Sequence, residues 1–128
     1  METHTSNGIR ITVSSLYQKL HSRPAMGQYV HIYEVTIHNK RSEPVQLISR
    51  EWFIWDSSGR TKEVRGEGVV GKQPILQPGE SHTYRSWSPI TTPIGHMSGY
   101  FDMISLPNNE SFRAKIPVFP LVADMIQN

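Results

Sequence analysis

Gly66-Glu-Gly-Val-Val-Gly71 has the spacing G-x-G-x-x-G, and Arg60, Lys62, Arg65 and Lys72 stand around it. In dinucleotide enzymes, glycines at this spacing let the backbone approach a pyrophosphate at the N-terminus of a helix that follows a parallel strand. Neither element is predicted here. Lys72-Gln73-Pro74 follows the last glycine, and the strand–turn–helix unit that gives the motif its meaning is missing. No cofactor is therefore expected. Two uses of the loop remain: the glycines supply positive φ or a close crossing of chains, or successive amides between Arg65 and Lys72 form an anion-binding nest. Glu63 and Glu67 dilute the positive field in the second case. The candidate anion- or partner-binding residues are Arg65, Gly66, Gly68, Gly71, Lys72, Gln73 and Pro74. Trp87 joins them, next to Ser88-Pro89 in what reads as a loop, because Trp and Arg are enriched at interaction hot spots.

Other chemistries find little support. There is no cysteine, which excludes disulfides, thiolate catalysis, zinc ribbons and iron–sulfur ligation. Six histidines, at positions 4, 21, 31, 38, 82 and 96, are dispersed without metal-ligand spacing, so no metal site is expected. Glu63 and Glu67 have the chemistry to hold Mg²⁺ beside a phosphate, but nothing fixes their geometry. Ser86 and Ser88 flank Trp87 without the G-x-S-x-G turn of an activated serine, and no catalytic residue is assigned.

The elements that must position these residues are strands. Twelve Ile, nine Val and eight Thr stand against six Leu and three Ala, and nine Gly and nine Pro punctuate the chain. Stiff β-branched side chains suit a pleated surface and lose rotamer freedom in helices. Period-two alternation predicts strands near 8–18, over Tyr29–Asn39 and Val45–Asp56, near 60–65, over 81–86, and over 100–104 paired with 112–118 across Pro107-Asn108-Asn109. Leu20 to Gly27 reads as a loop. Phe112, Ala114, Ile116 and Val118 are expected to share one face of the last strand. Trp52 and Trp55, three apart, must point to opposite faces, so only one joins the core. Leu76 to Tyr84 resembles the tyrosine-corner region of fibronectin type III domains, with the Tyr84 hydroxyl expected on nearby backbone. The expected fold is all-β, a two-layer antiparallel sandwich of the fibronectin type III and immunoglobulin-like kind, with a closed small barrel as the alternative.

A chain of 128 residues fits one domain, here 1–128 with an ordered core about 8–118 and loose ends at 1–7 and 119–128. Thirteen Lys and Arg against eleven Asp and Glu leave +2, with the bases scattered among the acids, so nucleic acid is not an expected partner. The longest apolar run, Trp52 to Trp55, is far short of the ~20 residues of a membrane span. Met1 to Arg10 lacks the apolar stretch of a signal peptide, and the expectation is a cytoplasmic protein.

The run GEGVVGKQPILQPGESHTYRSWSPITTPIGHMSGYFDM, Gly66 to Met103, resembles the signature of the bacterial ApaG family, and IRITVSSLY and YVHIYEVTIHN resemble its first strands. The resemblance covers about Gly8 to Pro117 and implies a fibronectin type III-like sandwich. It implies an interaction module too, since related domains sit in eukaryotic F-box and polymerase-associated proteins, and it suggests a link to magnesium and cobalt handling. The expected function is thus a non-catalytic protein-interaction or ligand-binding module with an unidentified protein partner. The alternative is a phosphate or nucleotide binder with weak phosphohydrolase activity at the glycine loop.

Overall fold

The computed structural model describes residues 1–124. Its strands are β1 (Glu2–Ser6), β2 (Ile9–Tyr17), β3 (Tyr29–Asn39), β4 (Val45–Asp56), β5 (Thr61–Glu67), β6 (Ile75–Leu76), β7 (Ser81–Ile90), β8 (Ile94–Ser105) and β9 (Glu110–Val122). One sheet runs β1-β2-β3-β7; the other runs β5-β4-β8-β9, with β6 also beside β4. Every pairing is antiparallel. This is the expected two-layer sandwich, and the predicted 20–27 loop holds two short 3-10 turns, Lys19–His21 and Pro24–Met26.

Alternation places the core. In β3 every second residue from Tyr29 to Asn39 is buried, and Ile9, Ile11 and Val13 of β2 bury beside it. The opposing layer supplies Leu47, Trp52, Met97, Phe101, Ile116 and Phe119. Full burial of each such side chain is worth about 1.5–3 kcal/mol relative to exposure. Trp52 is the indole that enters this core, edge-to-face with Tyr33, Phe101 and Phe119, whereas Trp55 stacks on His96 at 4.9 Å on the opposite face.

Two bulges break the period and correct the expected pattern. Between Leu47 and Ser49 the β4 register shifts by one residue, so Val45 and Leu47 face inward before it and Arg50 and Trp52 after it. In β9, Pro117 and Val118 together lie opposite Ser98 alone. Val118 therefore turns outward, 54% exposed, and Phe119 and Leu121 take the core positions.

The ends also differ from expectation. The segment 1–7 was expected to be loose, yet β1 forms a hairpin with β2 through Asn7 and Gly8, at φ of 50° and 76°. Positive φ at both central residues is the requirement of the tight hairpin turn that Asn-Gly favours. At the other end β9 runs past 118, with Phe119, Leu121 and Ala123 buried. The remainder of the predicted tail, 125–128, lies outside the described residues.

The two rims of the sandwich are unlike. Along one, β9 is laced to the other sheet by side chains. Ser15 Oγ donates to the Pro120 carbonyl at 2.6 Å, Asn7 Nδ2 to the Arg113 carbonyl at 2.7 Å, and the Lys115 amide donates to Ser6 Oγ at 2.9 Å. Along the other, β5 and β7 are the edge strands, and no strand joins them among the described residues.

Candidate functional site

The open rim begins with the glycine segment. Gly66 and Glu67 belong to β5, so the loop proper starts at Gly68. The Gly68 amide donates to the Ile48 carbonyl at 2.8 Å, and Val69 and Lys72 exchange both backbone hydrogen bonds, at 2.7 and 3.0 Å. Val70 and Gly71 between them have φ of 47° and 75°, the geometry of a two-residue hairpin turn. Three of the amides that an anion nest would use are thus committed to carbonyls. Gly68 has φ of 61°, and a Cβ there would lie 2.2 Å from the Lys72 carbonyl oxygen, so shape alone demands glycine. Gln73 Nε2 also donates to the Ile48 carbonyl, at 2.9 Å, and the Leu47 amide donates to the Pro74 carbonyl at 3.1 Å. The β4 bulge is the post to which this hairpin is tied.

Below the hairpin the two sheets part over a cavity of about 190 Å³. Arg50, Trp52, Met97 and Lys62 line it from one sheet, Tyr33, Ser86, Trp87 and Ser88 from the other. The β4 bulge turns Arg50 inward. Its Nη1 donates to the carbonyls of Glu67 and Gly68, at 3.0 and 2.9 Å, and among the described residues no carboxylate pairs with it. Burial pushes the Tyr33 and Tyr84 phenols up, more strongly for Tyr84, against the pull of the Arg50 charge, so both stay neutral. The Trp52 indole N–H, Ser88 Oγ and the Tyr84 hydroxyl are buried without a hydrogen-bond partner. Beside the cleft, a second cavity of about 250 Å³ lies between the hairpin and β7, lined by Val70, Lys72, His82 and Tyr84 among others. Burial, and then the Lys72 charge, lowers the pKa of His82.

The model of the ApaG domain matches residues 19–105. The chain belongs to the ApaG family. It is 46% identical over 121 residues to Protein ApaG of Maricaulis maris (strain MCS10), covering 94% of this chain and 92% of that one. It is 48% identical over 116 residues to Protein ApaG of Methylorubrum extorquens (strain PA1), covering 91% and 88%. Among solved structures, an ApaA protein from Bordetella pertussis superposes with a TM-score of 0.87 at 42% identity, covering 91% of this chain and 94% of that one. The names of these ApaG relatives assign no reaction.

In this ApaG chain the predicted site residues do not form one cluster. Arg65 lies on the outer face of its sheet, 2.8 Å from Glu51, which Arg113 also approaches at 3.5 Å. Lys72 lies beside His82 at the other side of the hairpin. Arg65 and Lys72 therefore do not flank a common anion. Gly66 lies under Arg50, where a Cβ would meet the guanidinium at 2.8 Å, and Gly68, Gly71, Gln73 and Pro74 shape and anchor the hairpin. Trp87 was expected in a loop but lies in β7 opposite Ile32, 52% exposed, with His21 edge-on at 5.1 Å. Ser88-Pro89 reads as a turn in sequence, but an edge strand tolerates proline. The tyrosine corner is corrected as well: the Tyr84 hydroxyl meets no backbone partner. Sequence reasoning missed Arg50, which a strict alternation through β4 would place on the outer face. The signal was the polar triplet Ser49-Arg50-Glu51 interrupting an apolar strand.

No helix among the described residues is long and apolar enough to cross a membrane.

Proposed function

We propose that the chain is a non-catalytic binding module whose partner is a protein, seated on the open rim of the sandwich across Trp87 and the outer edge of β7. The observation that supports this is a ten-residue strand that, among the described residues, pairs only with β3, carrying a half-exposed indole beside a polar cleft. A bare edge strand offers a row of backbone donors and acceptors to another chain, and strand addition is a recurring mode of recognition. Trp87 supplies the kind of large, rigid anchor that dominates such contacts. On this reading a link to magnesium or cobalt handling runs through that partner.

Photo-crosslinking tests the reading. A photoreactive residue at Pro89, beside Trp87 on β7, is expected to trap one protein from the source cell's lysate, whereas the same residue at Val118, which is 54% exposed on β9 in the other sheet, is expected to trap nothing. Trp87→Ala is expected to abolish capture without changing folding. Equal trapping from both positions would overturn the reading. So would Mg²⁺-dependent binding or hydrolysis of pyrophosphate that disappears in the Arg65→Ala/Lys72→Ala variant, which would restore the glycine loop as a phosphate site.

A further inference from the structure

The outer face of the β1-β2-β3-β7 sheet changes character along its strands. Thr3, Thr12, Thr36 and Thr83 stand in register across all four strands, and the Glu34–Arg85 pair, bonded at 2.7 Å, comes two residues further along β3 and β7. Beyond that pair the polarity ends. Leu16, Ile32 and Trp87 stand in register, and Val30 opposite Pro89 carries the apolar surface to the end of the sheet.

The two 3-10 turns between β2 and β3 lie at this same end. His21 of the first meets the Trp87 ring edge-on at 5.1 Å, and the second closes at Gly27, where a Cβ would lie 3.6 Å from the carbonyl oxygen of Thr91, just past β7. Each turn holds a large apolar side chain out in solvent: Leu20 is 96% exposed and Met26 66%, with Leu16 and Trp87 also more than half exposed. Four such side chains at one end of one sheet form a patch, unlike the scattered single residues of an ordinary surface.

Charge is distributed just as unevenly. From Thr3 to Tyr33 the sequence holds no Asp or Glu, whereas Lys19 and Arg23 stand on either side of Leu20 in the turns. Both are exposed, and among the described residues neither has an ion-pair partner. Of the acids near this end, Glu34 is paired with Arg85, Asp56 is bonded to Ser58 and Thr91, and Asp124 acts on the buried His31. Cations around protruding apolar side chains complement an anionic lipid surface, where the apolar groups enter the headgroup boundary and the bases meet phosphate. A protein interface is the poorer match, because its core is depleted in Lys and fits closely against a facing surface. Other candidates carry less: in the depression of about 360 Å³ on the outer face of the β4-β8-β9 layer Arg113 is already bonded to Asp102, and the amides of the glycine hairpin are occupied by carbonyls.

We infer that this end of the sandwich, with Leu20 and Met26 foremost and Lys19 and Arg23 beside them, is a docking surface for a membrane that carries anionic lipid. The lack of a run long enough to span a bilayer bears on crossing a membrane and not on lying against one. The surface adjoins the edge of β7 but is used independently of it, since an added strand lies along the sheet whereas a bilayer meets its end.

Co-sedimentation of the full chain with vesicles at low ionic strength tests this, with phosphatidylcholine alone compared with an equal mixture of phosphatidylcholine and phosphatidylglycerol. Sedimentation is expected with the mixed vesicles and not with phosphatidylcholine alone, and added salt should release the chain. Lys19→Gln/Arg23→Gln is expected to weaken binding by roughly thirtyfold, since each base near an anionic surface is worth about fivefold. Leu20→Gln/Met26→Gln is expected to weaken it by about tenfold or more, with the urea midpoint unchanged because both side chains stand mainly in solvent. Protein capture through Pro89 should persist in that second variant, so the membrane surface and the protein edge fail separately. Three results would overturn the inference: no sedimentation with the mixed vesicles, equal sedimentation with both kinds, or binding that Leu20→Gln/Met26→Gln leaves unchanged. The first of these, together with loss of protein capture in Leu20→Gln/Met26→Gln, would assign the two turns to the protein partner instead.

Discussion

The two rims of this sandwich solve the same problem in opposite ways. Where β9 meets β1 and β2, short polar side chains reach across and satisfy the backbone of the facing strand, as Ser15 does at Pro120 and Asn7 at Arg113. Where β5 and β7 diverge, Ser88 and Trp52 each bury a polar atom that meets no hydrogen-bond partner. A sealed rim gains a modest amount from each hydrogen bond, roughly 0.5–1.5 kcal/mol. An open rim forgoes that gain and carries the desolvation cost of its buried donors. The difference teaches that the sheets are tied together along one side, while on the proposed reading recognition falls to the other, where the G-x-G-x-x-G segment serves as a wall.

The largest expected effect tests that wall. Gly68→Val forces a β-branched residue into φ of 61° and drives its Cβ into the Lys72 carbonyl. The hairpin cannot close around it, and stability should fall by about 3 kcal/mol or more, the combined scale of left-handed strain and overpacking. Urea denaturation of the variant measures this. A loss below about 0.5 kcal/mol, within the range of ordinary surface changes, would mean that the hairpin is a passive loop.

A somewhat smaller effect concerns β3, the strand between the rims. His31 is fully buried with both ring nitrogens unbonded, and burial, partly opposed by Asp124, lowers its pKa from 6.5 to about 4. Between those values the unfolded chain binds a proton that the folded chain refuses, so stability rises with pH across the window. It is fully present above about 6.5 and falls as the pH drops toward 4. At ~1.4 kcal/mol per unit, the contribution lost by pH 4 is about 3 kcal/mol. Urea midpoints measured at steps from neutral to acid pH should show this slope in the wild type and a flatter one in His31→Leu. Identical slopes would remove His31 from the account.

Much of this was legible in the sequence. The strands Tyr29–Asn39 and Val45–Asp56 fall where alternation places them, because each buries one face on a single core. The division of labour between Trp52 and Trp55 follows from their spacing of three. What alternation cannot carry is its own interruption. A bulge adds one residue and reverses every inward and outward assignment beyond it, which moved Arg50 into the cleft and Val118 out to solvent. The Asn7-Gly8 turn was present as a signal, but β1 buries almost nothing, so no apolar pattern drew attention to it. Of the candidate site, the sequence reading named Trp87 and the glycine segment. It did not show that Arg65 and Lys72 lie on different sides, because their partners Glu51 and His82 are distant in the chain. Nor did it show the cleft, which exists only where the two sheets face each other.

The smallest effect is the most direct test, because it sets the rims against each other in one measurement. Equilibrium urea denaturation of Ser15→Ala and Ser88→Ala, both single hydroxyl deletions, reads the role of each side. Ser15→Ala removes a made hydrogen bond and should cost about 1 kcal/mol. Ser88→Ala removes a buried hydroxyl that bonds to nothing, and should leave stability unchanged or raise it by roughly 0.5–1 kcal/mol. A Ser88→Ala loss equal to that of Ser15→Ala would contradict the account, since the open rim would then be held together in the same way as the sealed one.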